Sequence, residues 1–220
     1  MKQYRKLFAL LMALTMLLAG CGGASEEAPE GKNVTLGKVE DGVYSNAYTN
    51  VTFAPGEEWQ MLGAEDLQDS LQDVQDLFDG TDVEEQLKGS QQIADMQGAA
   101  ADGTMTVNVI YTKMGAAERA AALAMDEDNY IDAILSQLDT LKDSYEAAGI
   151  TVESLEKANF VFAGKERVGT KLTGSVSGIP CYILQVYESK LGSYSVVTTM
   201  TSFQEDVTEE IAQLFTQLNP

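Results

Sequence analysis

"VGTKLTGSVSGIPCYILQVYESKLGSYSVVTTMTS", residues 168–202, is the stretch on which the fold turns. It holds three runs rich in β-branched and aromatic residues, 168–175, 181–189 and 193–202, separated at Gly178 and Gly192. Such runs favour strands, and glycines between them mark tight turns. A fourth run, 151–162, precedes them across Gly164. Connections this short join antiparallel neighbours, because a parallel pair needs a long crossover. The stretch therefore predicts a four-stranded antiparallel meander.

Working upstream, Ile131, Ile134, Leu135, Leu138, Leu141 and Tyr145 form one stripe, predicting a single helix over 116–147 that stops at Gly149. Residues 91–97 and 104–112 read as two strands around the Asp102-Gly103 turn. In the second, Met105, Val107, Val109 and Tyr111 alternate with Thr104, Thr106, Asn108 and Ile110. Residues 65–88 carry Leu67, Leu71, Val74, Leu77 and Phe78 at helical spacing, then an Asp79-Gly80 break and a Thr81-x-x-Glu84 capping box. Residues 43–62 hold short strand-like pieces around the Pro55-Gly56 turn. Downstream, Ile211, Leu214, Phe215 and Leu218 predict a final helix, begun near Ser202-x-x-Glu205 or at Thr208. Strands and amphipathic helices in this order predict one α+β domain over 43–220: an antiparallel sheet with helices packed on its faces.

The first residues follow another logic. Lys2, Arg5 and Lys6 lead a thirteen-residue run, 7–19, in which Thr15 is the only polar residue. That run is too short to span a bilayer, which needs roughly 20 apolar residues, and has the length of a secretory signal. It ends in Leu18-Ala19-Gly20-Cys21, which resembles the lipobox of bacterial lipoproteins. The resemblance implies a signal peptide over 1–20, cleavage before Cys21, and lipidation (a palmitate-bearing diacylglyceryl group) of the Cys21 thiol. A plain signal peptide with Cys21 paired to Cys181, and a retained membrane helix, are the alternatives. Residues 21–42 then read as lipidated cysteine plus flexible tether, too small, charged and Pro/Gly-rich to order themselves. The expected location is the extracytoplasmic face of the cell membrane, within the cell envelope.

Composition narrows the chemistry. Cleavage would remove Lys2, Arg5 and Lys6 and leave 11 basic against 34 acidic residues, a net charge of −23. Such a chain is not expected to seek nucleic acid, which calls for basic patches. The acidity reads as a solvated surface, with cations or basic partners as the functional alternative. The chain has no histidine, so the commonest general base and the commonest zinc ligand are missing. Cys181 lies in a strand-like run and reads as a small buried hydrophobe.

Tyr48-Thr-Asn50-Val-Thr-Phe53-Ala-Pro55-Gly56-Glu-Glu-Trp59 resembles the opening of the PsbP-like fold: Tyr and Asn, a β-bridge, Phe, then Pro and Trp. Lipoproteins of Gram-positive anaerobes often show the same lipobox, tether and opening. The likeness covers roughly 43–218, and the 65–88 segment departs from the minimal fold as an insertion. Members of this fold bind proteins or assist assemblies, so the resemblance implies a non-enzymatic role. On their own chemistry, Phe53 and Trp59 read as core and Pro55-Gly56 as a turn.

Candidate sites are few. Asp126-Glu127-Asp128-Asn129 offers oxygens to calcium, but its spacing fails the EF-hand loop, and acids here also favour a helix start. Asp76, Asp79, Asp82, Glu84 and Glu85 invite the same two readings. No G-x-S-x-G, S-x-x-K or phosphate-binding loop is present. Tyr182, Tyr187 and Tyr194 offer either an aromatic face for a partner or half-buried sheet residues. The expectation is a membrane-anchored lipoprotein with a binding or assembly role, with no catalytic residues, metal or cofactor, and with a protein partner or small ligand. A small-molecule or cation binder serving a transporter or sensor is the first alternative. A carboxylate-dependent envelope hydrolase, needing two acids about 5–9.5 Å apart, is the second.

Overall fold

The computed structural model describes residues 35–64, 66–67, 92–192 and 194–219. The stretch read as a lipobox, with Cys21, most of the stretch read as tether, and nearly all of 65–88, read as helical, with its acids lie outside the described residues.

The meander forms as the glycines indicate. β7 (Ile150–Phe162), β8 (Lys165–Val176), β9 (Ile179–Glu188) and β10 (Tyr194–Phe203) pair consecutively and antiparallel. Two of the hairpins turn on residue pairs with both φ positive, Ala163-Gly164 and Ser177-Gly178. That geometry matches the twist of the flanking strands and pins the register, Phe162 opposite Lys165 and Val176 opposite Ile179. β4 (Trp59–Gly63), β5 (Gln92–Ala100) and β6 (Met105–Lys113) complete a seven-stranded sheet in the order β4-β5-β6-β10-β9-β8-β7.

The expected single sheet is two. β1 (Lys38–Glu40), β2 (Val43–Asn46), β3 (Val51–Phe53) and the C-terminal β11 (Phe215–Gln217) form a separate four-stranded sheet, order β1-β2-β3-β11. β1 falls inside the stretch read as tether. Asp41-Gly42, again with both φ positive, folds it back onto β2. The single helix over 116–147 is three: α1 (Ala116–Ala124), α2 (Glu127–Leu135) and α3 (Leu138–Ala147). Asp126 supplies the interruption: its carboxylate accepts from the Asn129 amide at 2.8 Å and starts α2 afresh. Gly149, φ +84°, follows α3 as expected. The final helix is only α4 (Thr208–Gln213), because Phe215 leaves it to pair opposite Phe53.

Strand alternation divides the large sheet into two faces. Val107, Val109, Tyr111, Leu184, Val186 and Met200 point to the face covered by the small sheet and α4. There Phe215 stacks on Phe53 at 4.5 Å and lies 4.6 Å from Phe162. The opposite face carries α2 and α3 over β7 and β8. Tyr145 of α3 packs there with Ile150, Leu172, Cys181 and Ile183. Cys181 is a free buried thiol, and burial pushes its pKa up to about 12, which suits a packing residue and not a nucleophile.

Candidate functional site

Two buried polar groups interrupt these apolar faces. On the face toward the small sheet, β5 bulges between Ala94 and Met96 and turns Asp95 inward, fully buried. Its carboxylate accepts from the Gly37 amide at 2.8 Å, Tyr44 Oη at 2.5 Å and Asn46 Nδ2 at 2.8 Å. Asn46 Nδ2 also donates to Tyr111 Oη at 2.6 Å, and Asn46 Oδ1 receives the Tyr48 and Thr49 amides. Burial raises the Asp95 pKa, while the Tyr44, Gly37 and Asn46 hydrogen bonds pull it back. Burial first, then the Asp95 charge, holds Tyr44 protonated far above the ordinary tyrosine range, so it stays a donor. The cluster is self-contained. It joins Gly37, β2 and the large sheet, and its chemistry is that of a latch.

The second group lies on the helix-bearing face. Gln97, Asn108, Thr199, Gln185, Thr170 and Lys157 stand opposite one another in a single cross-strand row over β5, β6, β10, β9, β8 and β7. One half of the row is saturated. Gln185 Oε1 accepts from Tyr187 Oη at 2.8 Å, Tyr145 Oη at 3.1 Å and Thr170 Oγ1 at 3.3 Å. Its Nε2 donates to Thr199 Oγ1 at 3.1 Å. Lys157, at the end, is held by Asp132 at 2.6 Å and Asp128 at 3.1 Å.

The other half is not saturated. Gln97 Oε1, Asn108 Oδ1 and Thr106 Oγ1 are buried without a hydrogen-bond partner. Thr106 is two residues from Asn108 on the same face of β6. Each orphaned group costs about 1–3 kcal/mol against a paired one. Tyr48 Oη and Thr49 Oγ1 are likewise buried without a partner, on the loop that follows β2.

The residues singled out from sequence fall elsewhere. Asp126, Glu127 and Asp128 do not converge: Asp126 caps α2, Glu127 meets Arg167 at 2.6 Å, and Asp128 meets Lys157. Among the described residues no group of carboxylates and cysteines is placed to hold a metal. The three tyrosines do not form one aromatic face. Tyr187 joins the polar row, whereas Tyr194 turns to the other face and meets Tyr111 edge-on at 6.4 Å. Sequence reasoning missed the row, although a signal was there. Thr106 and Asn108 alternate with Val107 and Val109, which normally marks a solvent face. Ile110, on that same polar side, is the sign that the side is covered.

Two antiparallel sheets with helices on the outer face of the larger one define a mixed α+β protein. The structure is similar to the solution structure of cyanobacterial PsbP (CyanoP) from Synechocystis sp. PCC 6803, at 10% sequence identity and a TM-score of 0.42, over 87% of this chain and 98% of that one. No protein-family model matches the sequence, and no curated protein matches it.

Proposed function

We propose that this protein is a lipid-anchored extracytoplasmic lipoprotein with a PsbP-like fold and a non-catalytic binding or assembly role. The observation that carries the reading is Leu18-Ala19-Gly20-Cys21, placed directly after a charged lead and a short apolar run. A diacyl anchor holds stably where a single short chain does not, since each buried methylene contributes about 0.8 kcal/mol. Among the described residues no helix is long and apolar enough to cross a membrane.

Membrane fractionation with palmitate labelling tests this. The wild-type chain is expected in the membrane fraction, labelled, and Cys21→Ser unlabelled and not cleaved at the same bond. A wild-type chain that is soluble and unlabelled removes the anchor from the account. The small-molecule alternative needs an open site, whereas the unpartnered oxygens of Gln97, Thr106 and Asn108 are closed to solvent. No observation favours the hydrolase. Around α2 the carboxylates of Glu127, Asp128 and Asp132 are engaged by Arg167 and Lys157.

A further inference from the structure

The helix-bearing face of the large sheet is buried further than its described helices reach. α2 lies over β7 and β8 and α3 against β7, while α4 packs on the other face. Beyond them that face carries Thr201 on β10, Thr106, Asn108 and Ile110 on β6, and Gln97 and Ala99 on β5. All six are at most 7% exposed. α1 buries only Ala122 and cannot shield so wide an area. The structure holds a single chain, so what shields these residues belongs to the same molecule.

Chain connectivity narrows the choice. Residues before Thr35 arrive on the opposite face, where Tyr111 Oη donates to the Thr35 carbonyl at 3.3 Å and Asp95 holds Gly37. Residues 68–91 leave and return beside the shielded area. β4 ends at Gly63, opposite Met96, and β5 begins at Gln92. Leu67, the last described residue before them, is 1% exposed and is part of neither described core. Even at the 1.5 Å per residue of a helix, 68–91 supplies about 36 Å of chain. Crossing from β4 to β10 takes three strand spacings, roughly 15 Å. The segment is long enough to cross and come back.

Its chemistry agrees. It holds Leu71, Val74, Leu77, Phe78, Val83 and Leu87, which gain from leaving water. Ile110, Ala99 and the threonine methyls offer them apolar surface. An apolar occupant brings no hydrogen-bond groups, which accounts for the buried and unpartnered Gln97 Oε1, Thr106 Oγ1 and Asn108 Oδ1.

We infer that residues 68–91 dock across the outer face of β5, β6 and β10, setting their apolar residues on Ala99, Thr106, Asn108 and Ile110. That half of the face then belongs to the interior and is not open to a ligand or a partner. The docking stands whether or not the chain is anchored.

The test is disulfide trapping in the full chain carrying Cys21→Ser, extracted in detergent. Cys181 is buried with its pKa pushed up to about 12, which keeps it out of the exchange. Thr106→Cys or Ile110→Cys is combined in turn with Leu71→Cys, Val74→Cys, Leu77→Cys, Phe78→Cys, Val83→Cys or Leu87→Cys. Leu123→Cys, at an exposed position of α1, is the control partner. A disulfide closes only where Cα atoms come within about 7 Å. At least one segment position is expected to trap within one chain, and Leu123→Cys to trap with neither. Thr106→Cys alone is expected to react with a maleimide at least about tenfold more slowly than Leu123→Cys, because a docked segment must open first. The proposal is overturned if no segment position traps, if trapping is no better than with Leu123→Cys, or if it joins two chains instead of closing within one. It is equally overturned if Thr106→Cys is labelled as fast as the control.

Discussion

At Asp95 the chain buries a carboxylate and surrounds it with neutral donors from three places: Gly37, Tyr44 and Asn46. The arrangement depends on each donor, because a charged acceptor that loses one keeps its full desolvation cost. Tyr44→Phe is expected to destabilise the protein by about 1.5–3 kcal/mol, read from denaturant midpoints. Nothing in local sequence pairs these donors with Asp95, which lies 49 to 58 positions away. Tyr44 and Asn46 read as strand residues, and Asp95 as an ordinary polar residue of a strand. The bulge that turns Asp95 inward is a property of the β5–β6 pairing. Gly169 is explained only by the sheet as well: a Cβ there would clash with the Gln185 carbonyl, so the β8–β9 contact admits no side chain.

Helices are tied to the large sheet by cations on β7 and β8. Lys157 holds Asp128 and Asp132 of α2, Arg167 holds Glu127 of α2 together with Glu188, and Lys171 holds Asp206 and Glu209. Asp206 carries a pH consequence. Burial pushes its pKa up, but hydrogen bonds from Lys171 and from the Thr208 hydroxyl and amide outweigh that, and its carboxyl ends below the ordinary aspartate value. A lowered pKa stabilises the fold above the unfolded value, and that stability is lost as pH falls through the folded one. Asp206→Asn is therefore expected to be less stable than wild type at neutral pH, and the gap to close below about pH 4. Unfolding midpoints across an acid series read this; a gap that is constant with pH counts against it. At this scale the sequence was largely readable. Gly164 and Gly178 in the hairpins, Gly103 in the β5–β6 turn and the Gly149 stop all appear where local φ demands them. The two helical misreadings share a cause. A 3.6-residue stripe records which side is buried, but it does not record where a cap such as Asp126 restarts the hydrogen-bond ladder. Nor does it tell a helix from a helix that unwinds into a strand, as Phe215 does.

Across the whole molecule, Phe215 closes the fold. It brings the chain end back to pair with β3 and stacks between Phe53 and Phe162, joining the two sheets through one aromatic contact. Phe215→Ala is expected to cost about 3–5 kcal/mol, more than loss of a single surface ion pair, with chemical denaturation as the measurement. The α+β class, the antiparallel meander and the hairpin turns were legible because each is written in residues adjacent along the chain. The division into two sheets, the Asp95 latch and the unsaturated row of Gln97, Thr106 and Asn108 were decided only by tertiary structure. Each depends on which strand lies beside which, and on what covers a face. A single sequence records alternation along a strand, whereas register across six strands and the burial of a polar side exist only once the sheet has formed.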